Sequence, residues 1–224
     1  MKNLKNLKNH IVFSMVFLLC TQAGAGTFDD YFKAAAMDNE SAMVGLALRG
    51  FDLNTRDDNG DPALTVALRE GSLKVASFLL TQRSVKVELR NTAGESPLMI
   101  AALKGHLDLA KTLIRRGAEV NKPGWTPLHY AAARPEPDSL DMVRLLLEEH
   151  AYIDAESPNK TTPLMMAAMY GHPDVLRLLL EEGADPSLRN QQGLTAVDFA
   201  RRAERHDLAD LIAARLRSAR PGSR

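Results

Sequence analysis

Histidines are the side chains of this 224-residue chain best suited to transfer protons or bind a metal, and six are present. His106 and His172 each follow a glycine in two similar stretches, and His129 lies in the sequence Trp-Thr-Pro-Leu-His. Residues that recur in phase with a repeat usually serve packing, so we interpret these three as structural. His150 and His206 have no companions at metal-ligand spacing. The sequence therefore predicts no metal site.

Catalytic motifs do not accompany these histidines. The sequence lacks the H-E-x-x-H pattern of a catalytic zinc site, the G-x-S-x-G nucleophile turn and a glycine-rich phosphate loop. The adjacent carboxylates of Glu148-Glu149 and Glu181-Glu182 point apart if they lie on helices, so we expect them on a solvated face. We expect no catalytic residue and no cofactor, and a hydrolase or small-ligand protein is the less favoured alternative.

Composition limits the remaining classes. The 28 basic and 28 acidic side chains balance, so the chain lacks the basic excess that nucleic-acid binding requires. Its single cysteine can form neither an internal disulfide framework nor a thiolate zinc site. With 45% hydrophobic but only 5% aromatic residues, the chain is expected to fold into closely packed helices. We expect no nucleic-acid partner.

The first 25 residues have the features of a cleavable signal peptide. Three lysines precede the apolar run of residues 11–20, and Ala23 and Ala25 form an A-x-A cleavage site. Ten apolar residues are about half of what a membrane-spanning helix needs, which disfavours an anchor. Lipoprotein processing at Cys20 is disfavoured by Leu19, which stands where a small residue is required. We expect cleavage after Ala25, a periplasmic or secreted protein, and no membrane association afterwards.

The rest of the chain repeats, and the repetition determines the fold. Five similar stretches each carry an apolar anchor residue, at spacings of 34, 30, 36 and 33: Leu64, Leu98, Leu128, Leu164 and Val197. After each of the first four anchors, a second apolar pattern with i, i+3, i+4 spacing follows. The sequence therefore predicts pairs of helices that recur with a period near 33.

Local signals place the ends of these helices. A hydroxyl residue followed by proline predicts an N-cap and first helical position at Ser96, Thr126 and Thr162. Thr195 and Asp198 have the spacing of a capping box. Glycines are expected to separate the first helix from the second at Gly71, Gly105 and Gly171. Turn sequences such as Asn59-Gly60 predict hairpin turns between the pairs.

The chain resembles the ankyrin-repeat family over essentially all residues beyond the leader. The resemblance is strongest in residues 125–132 (WTPLHYAA), and residues 105–107 (GHL) and 116–121 (RGAEVN) add further signatures. It implies an all-α solenoid in which each unit has two helices and a β-hairpin finger. We predict an ankyrin-repeat domain over 26–217, a disordered tail over 218–224, and six units at 27–59, 60–93, 94–123, 124–159, 160–192 and 193–217.

Two units depart from the common length. The third is three residues short, so its finger shrinks to residues 121–124 and Trp125 follows directly. The fourth unit is three residues longer than the common length, which widens the turn between its helices at residues 134–138. Such changes are expected on loops, where they disturb packing least.

The resemblance implies that partners bind to the hairpin tips and the exposed face of the first helices, which line a concave groove. Carrying those positions over unit by unit gives seven candidate partner-binding residues: Arg69, Leu103, Lys104, Trp125, Arg134, Met169 and Tyr170. Trp, Tyr and Arg dominate the energetics of many interfaces. Trp125 has a second interpretation, in which it fills the gap left by the short finger.

These features predict a non-catalytic, exported, monomeric scaffold that binds one or more proteins. The alternative within the family is a secreted effector, toxin or immunity-type protein.

Overall fold

The computed structural model describes residues 26–218. The predicted leader, its cleavage site and residues 219–224 of the predicted tail lie outside the described residues. Ser218, assigned to that tail from sequence, is instead the last residue of a helix. No helix within residues 26–218 has the length and apolar character needed to cross a membrane.

The described residues form consecutive helix pairs, as predicted. The first helix of each pair, called the inner helix, contacts the inner helices of the neighbouring pairs, and the second, outer helices contact one another likewise. The pairs are α1 (residues 26–36) with α2 (Glu40–Leu48), α3 (Ala63–Glu70) with α4 (Leu73–Thr81), α5 (Pro97–Lys104) with α6 (Leu107–Arg115), α7 (Pro127–Ala132) with α8 (Ser139–Glu148), α9 (Pro163–Met169) with α10 (Pro173–Glu181), and α11 (Ala196–Arg202) with α12 (His206–Ser218).

The anchor residues found in the sequence form the centre of the core. Leu64, Leu98, Leu128 and Leu164 are each at most 2% exposed, and they belong to one buried apolar cluster that runs from the first unit to the last. Alanines at the following positions, such as Ala101 and Ala131, are fully buried and let neighbouring inner helices approach closely. A single unit could not bury these faces alone, so stability depends on the stacking of units.

The predicted N-cap residues Ser96, Thr126 and Thr162 stand directly before α5, α7 and α9, and Ser96 and Thr162 cap through their hydroxyls. The Ser96 hydroxyl accepts a hydrogen bond from the backbone N–H of Met99 at 3.3 Å, and Thr162 accepts from Met165 at 3.4 Å. At α11 the Asp198 carboxylate accepts from the backbone N–H of Thr195 at 2.8 Å, which completes the predicted capping box. These bonds satisfy backbone donors that the first turn of a helix leaves free.

The fingers between pairs are tight turns with little paired β-structure. The turn after Asn91 is closed by its backbone N–H, which donates to the Glu95 carbonyl at 3.0 Å. Within the described part of the chain, β-pairing is confined to one bridge between Arg56 and Pro62. The predicted hairpin fingers are therefore present as turns that project from the helical stack.

The glycines between paired helices have two different roles. Gly71 and Gly105 adopt the left-handed conformation, with φ of 76° and 74°. Gly171 does not, but a Cβ at this position would lie 2.1 Å from the Ala132 carbonyl oxygen and 2.8 Å from the Ala167 Cα. Glycine is required there because two backbones approach closely.

A polar donor from the following unit reaches carbonyl groups near the end of several inner helices. Ser72 Oγ donates to Ala36 O at 3.0 Å, and His106 Nε2 bonds Leu68 O at 2.9 Å. Arg134 Nη1 donates to Leu103 O at 3.2 Å, and Arg205 Nη1 donates to Ala167 O at 3.0 Å. Because helix C-termini carry partial negative charge, the two arginines suit this position particularly well.

Candidate binding groove

The inner helices place equivalent residues side by side on one face of the solenoid. Counting five residues from each anchor gives the groove row: Arg69, Leu103, Ala133, Met169 and Arg202. Counting two residues from each anchor gives a second set: Val66, Ile100, Tyr130, Met166 and Phe199. We call this face, with the fingers that precede the inner helices, the groove. Its central part is apolar in both sets.

An apolar pocket of about 220 Å³ opens in the middle of the groove. It lies where α5, α7 and α9 meet, and its wall contains side chains from all three helices and from the short finger. The lining residues are Leu103, Trp125, His129, Tyr130, Ala133 and Met166. Leu103 is 37% exposed, so part of the apolar wall faces solvent.

Trp125 is half-buried beside the short finger. Its ring meets the His129 ring edge-on, with centroids 5.2 Å apart and an angle of 77°. The remaining surface of the indole lines the pocket. Trp125 therefore packs against His129 and also lines an open pocket beside the shortened finger.

His129 is fully buried beneath the pocket and serves as a structural joint, as predicted. Its Nδ1 accepts a hydrogen bond from the backbone N–H of Thr126 at 3.2 Å, which places the ring proton on Nε2. Nε2 then donates to the Thr161 carbonyl of the next unit at 2.9 Å. Burial lowers the pKa of His129 to about 4, because water no longer solvates the charged ring. The imidazole is therefore neutral at pH 7.

The other two repeated histidines also have structural contacts. Burial lowers the pKa of His106, whose Nε2 bonds the Leu68 carbonyl. His172 caps α10, where its Nδ1 accepts from the backbone N–H of Asp174 at 3.3 Å. The carboxylate pairs at 148–149 and 181–182 are exposed, as expected. Within residues 26–218, no three His, Cys, Asp or Glu side chains cluster closely enough to hold a metal ion.

A polar network occupies the groove next to the pocket. Arg69 forms ion pairs with Asp61 and, at 3.3 Å, with Glu95. Asn91 Nδ2 donates to Asp61 at 2.9 Å and to Glu95 at 2.8 Å, and the Tyr130 hydroxyl donates to Glu95 at 3.1 Å. The network spans three units and fixes the Tyr130 ring at the pocket wall.

Ionisation in this network follows from burial and from its partners. Burial acts to raise the pKa of Asp61, but hydrogen bonds from Arg69 and Asn91 and the Arg69 charge outweigh it and hold the pKa below its usual value. Burial, with the nearby Glu95 charge, raises the pKa of Tyr130 well above its ordinary value. At neutral pH the Asp61 carboxylate is therefore charged and paired, and the Tyr130 phenol is neutral.

The structure brings several of the sequence-predicted residues together and leaves others apart. Leu103 and Trp125 line the pocket, and Lys104 is exposed at the end of the same helix as Leu103. Met169 is half-buried in the groove row, and Tyr170 is 52% exposed immediately after α9. Arg69 is in the groove but is occupied by the polar network.

Arg134 does not lie on the groove, which corrects the expectation from sequence. It is 8% exposed, and its guanidinium donates to the Leu103 carbonyl and pairs with Asp138 and Glu136 of its own widened turn. The side chain also lies over Gly105, where a Cβ would come within 2.6 Å of Nη1. The extra residues fold back and hold Arg134 between two units.

Tyr130 and Met166 belong to the pocket but were missed from sequence. Both stand two residues after an anchor leucine, at a position whose equivalent in α5, Ile100, is 1% exposed. Exposure at this position depends on the size of the neighbouring side chains and on the short finger. Both residues could have been found in the sequence by considering the position two residues after each anchor as well as the position five residues after it.

The fold and the groove define a helical-repeat protein. A family model for ankyrin repeats matches the chain three times, over residues 32–123, 84–157 and 138–220. The chain therefore belongs to the ankyrin-repeat family, as its sequence motifs predicted. Ankyrin repeats are a protein–protein interaction domain.

Relatives with this domain occur in animals and bacteria. The chain is 35% identical over 156 residues to the nuclear factor NF-kappa-B p105 subunit of Mus musculus, which covers 66% of this chain and 16% of the relative. It is 30% identical over 203 residues to the same subunit of Gallus gallus, covering 88% of this chain and 19% of the relative. An ankyrin repeat-containing protein of Treponema pallidum is 27% identical over 181 residues, covering 80% of this chain and 50% of the relative. The chain thus spans at most half the length of these relatives.

Two solved bacterial structures share the fold. A chain in the complex of a predatory endopeptidase with an immunity protein, from Bdellovibrio bacteriovorus, superimposes with a TM-score of 0.69 at 29% identity. An ankyrin repeat domain from Acinetobacter baumannii superimposes with a TM-score of 0.67 at 25% identity. Each match covers 82% of this chain and 96% of the solved chain.

Proposed function

We propose that this protein is a non-catalytic scaffold, exported across a membrane, that binds a partner protein in its groove and at its finger tips. The observation that carries the proposal is the apolar pocket at the junction of α5, α7 and α9. Its wall combines Trp125, Tyr130 and Leu103 on one accessible surface. Clustered aromatic and aliphatic side chains that face solvent are typical of binding sites.

The environment of the titratable groups supports a binding role over catalysis. His129 is buried, neutral and hydrogen-bonded at both ring nitrogens. Glu95 is bonded by Asn91 and Tyr130 and paired with Arg69. A general base must reach a substrate proton, and these groups are occupied by their neighbours. Family membership points the same way, because ankyrin repeats mediate protein contacts.

Export is supported by the leader pattern of the sequence. A basic segment, the apolar residues 11–20 and the A-x-A site that ends at Ala25 together have the order that signal peptidases recognise. Cell fractionation followed by N-terminal sequencing tests this part. We expect a periplasmic or secreted protein that begins at Gly26, and an uncleaved protein in the cytoplasm would contradict it.

An immunity-type role is the second candidate. One structural neighbour comes from a complex of a predatory endopeptidase with an immunity protein, and the match covers 96% of that neighbour. In this version the bound partner is an exported peptidase of the same cell, which the protein inhibits. Adding the purified protein to the captured peptidase should abolish hydrolysis, and unchanged hydrolysis would exclude this role.

Site-specific photo-crosslinking tests the binding surface. A photoreactive amino acid replaces Leu103 in the groove or, as the matched control, Leu73 on outer helix α4, which is 45% exposed. The full chain is expressed in its native cell and irradiated. We expect one defined adduct from position 103 and none from position 73. Adducts from position 73 alone, or from neither position, would contradict binding in the groove.

A further inference from the structure

We infer that the partner inserts one large apolar side chain into the pocket and places acidic residues near the α11 end of the groove. This inference rests on the proposed function and adds the chemistry of the bound segment. It is carried by the apolar pocket and by the distribution of charge along the inner helices.

The pocket fits a single apolar side chain. Its volume of about 220 Å³ and its lining by Leu103, Trp125 and Met166 suit a residue of the size of phenylalanine or leucine. The polar groups around it are already satisfied, since His129 bonds Thr161 and the Tyr130 hydroxyl bonds Glu95. A polar side chain would lose water here without gaining a partner, whereas an apolar one gains from burial.

The groove row is apolar in its centre and charged at its ends. Leu103, Ala133 and Met169 occupy the middle three positions, between Arg69 and Arg202. The two arginines differ in their surroundings. Arg69 is paired with two carboxylates, so its charge is already compensated. Arg202 is exposed and forms none of the ion pairs found within residues 26–218.

Other charged residues of the groove are also acidic in α3 and basic in α5. The position after the groove row holds Glu70 in α3 and Lys104 in α5, and both side chains are exposed. The first finger adds Asp57 and Asp58 at the acidic end, beside one cation, Arg56, which bonds the Gly60 carbonyl. The groove thus has exposed carboxylates at its α3 end, and its exposed cations Lys104 and Arg202 lie beyond them. A segment bound along it meets favourable charge if its carboxylates lie on the α11 side of the pocket.

The length of the segment follows from the spacing of the helices. Packed helices lie 8–10 Å apart, so two steps from α7 at the pocket to α11 span about 20 Å. An extended chain covers that distance in about six residues. The expected segment is therefore an apolar anchor with acidic residues about six positions away.

Peptide titration tests this arrangement, with Trp125 as the probe because it is the single tryptophan of the chain. The probes are capped peptides of Gly, Ser and Thr with one phenylalanine and two glutamates about six residues away, on either side in two versions. Matched peptides carry lysines in place of the glutamates. We expect one glutamate peptide to bind the full-chain protein at least tenfold more tightly than its lysine counterpart, with a smaller difference at high salt.

Charge reversal identifies the cation involved. Arg202→Glu should invert the preference, whereas Arg83→Glu, in the exposed turn after α4, should leave it unchanged. Leu103→Asp should remove binding of both peptides. Equal affinity for glutamate and lysine peptides, an unchanged preference in Arg202→Glu, or no fluorescence change with any peptide would overturn the inference. A partner crosslinked at position 103 whose bound segment lacks acidic residues would overturn it too, while leaving the proposed function intact.

Discussion

The chain departs from the common repeat length both before and after α7, and the two departures have opposite results. Before α7, the finger is short, and Trp125 lines the open pocket beside it. After α7, the turn is long and folds inward, so that Arg134 is 8% exposed and bonded to the unit before it. The short finger is thus next to an open pocket, whereas the long turn forms a contact between the third and fourth units.

Leu103 and Arg134 meet at this place through different groups. Leu103 contributes its side chain to the open pocket and its carbonyl to the Arg134 guanidinium. A change in the Leu103 side chain should affect the groove and leave the contact between the units intact. A change in the Arg134 side chain should weaken the contact between the units and leave the groove intact.

Gly171→Ala should have the largest effect, because it disrupts the contact between the fourth and fifth units. The new Cβ would meet the Ala132 carbonyl oxygen at 2.1 Å, and neither backbone can move without disturbing two units. We expect a loss of about 3 kcal/mol or more in unfolding free energy, measured by urea denaturation. Gly45→Ala is the control, because Gly45 lies inside α2 with its nearest atom 3.6 Å away and alanine favours helix there. Equal stability of the two variants would contradict the account.

Acid should weaken the contact that His129 makes between the fourth and fifth units beneath the pocket. The pKa of His129 is about 4 in the folded protein and about 6.5 when unfolded, so the unfolded state binds more protons between these values. The unfolding free energy should therefore fall as the pH falls from 7, by about 2 kcal/mol at pH 5. The lowered pKa of His106 acts in the same direction.

Urea denaturation at pH 7 and pH 5 measures this dependence. His129→Gln should show a smaller pH dependence than the unmodified protein, because the group that titrates is gone. A stability of the unmodified protein that is constant from pH 7 to pH 5 would show that the ring is not held neutral.

Arg134→Met should destabilise the contact between the third and fourth units while retaining the apolar part of the side chain. The substitution removes charged hydrogen bonds to the Leu103 carbonyl and Asp138, for an expected loss of about 2 kcal/mol. Arg177→Met is the matched control, since its ion pair with Asp174 is exposed and worth less than about 0.5 kcal/mol. If both variants lose the same unfolding free energy, Arg134 does not stabilise the contact between the third and fourth units.

Tyr170→Ala should have the smallest effect on folding. The side chain is 52% exposed at the edge of the groove, so the unfolding free energy should change by less than about 0.5 kcal/mol. Co-purification of the crosslinked partner should nevertheless be lost. Retained co-purification together with a large loss of stability would assign Tyr170 to the fold instead of the interface.

Sequence was sufficient for the parts of the molecule that repeat. The anchors Leu64 to Leu164 and the caps at Ser96 and Thr162 were predicted because every unit requires the same packing and the same helix start. The groove positions predicted for Leu103 and Trp125 follow from the same register, and in the structure both side chains line the pocket.

The parts that break the repeat were harder to predict. Nothing in the register indicates which way the extra residues after Ala133 turn, so Arg134 was placed on the groove instead of between the third and fourth units. Tyr130 was missed because its exposure depends on side chains from three units and on the length of a finger. Both features arise from contacts between units, which a unit-by-unit count does not include.

The most direct test of these two different roles measures partner affinity and thermal stability together in Leu103→Asp and Arg134→Met, using the partner identified by crosslinking. We predict that Leu103→Asp weakens binding at least thirtyfold, about 2 kcal/mol, with an unchanged unfolding midpoint. Arg134→Met should have a lower unfolding midpoint, and at temperatures below that midpoint it should bind the partner with normal affinity. Normal binding by Leu103→Asp, or loss of the partner by folded Arg134→Met, would contradict the account.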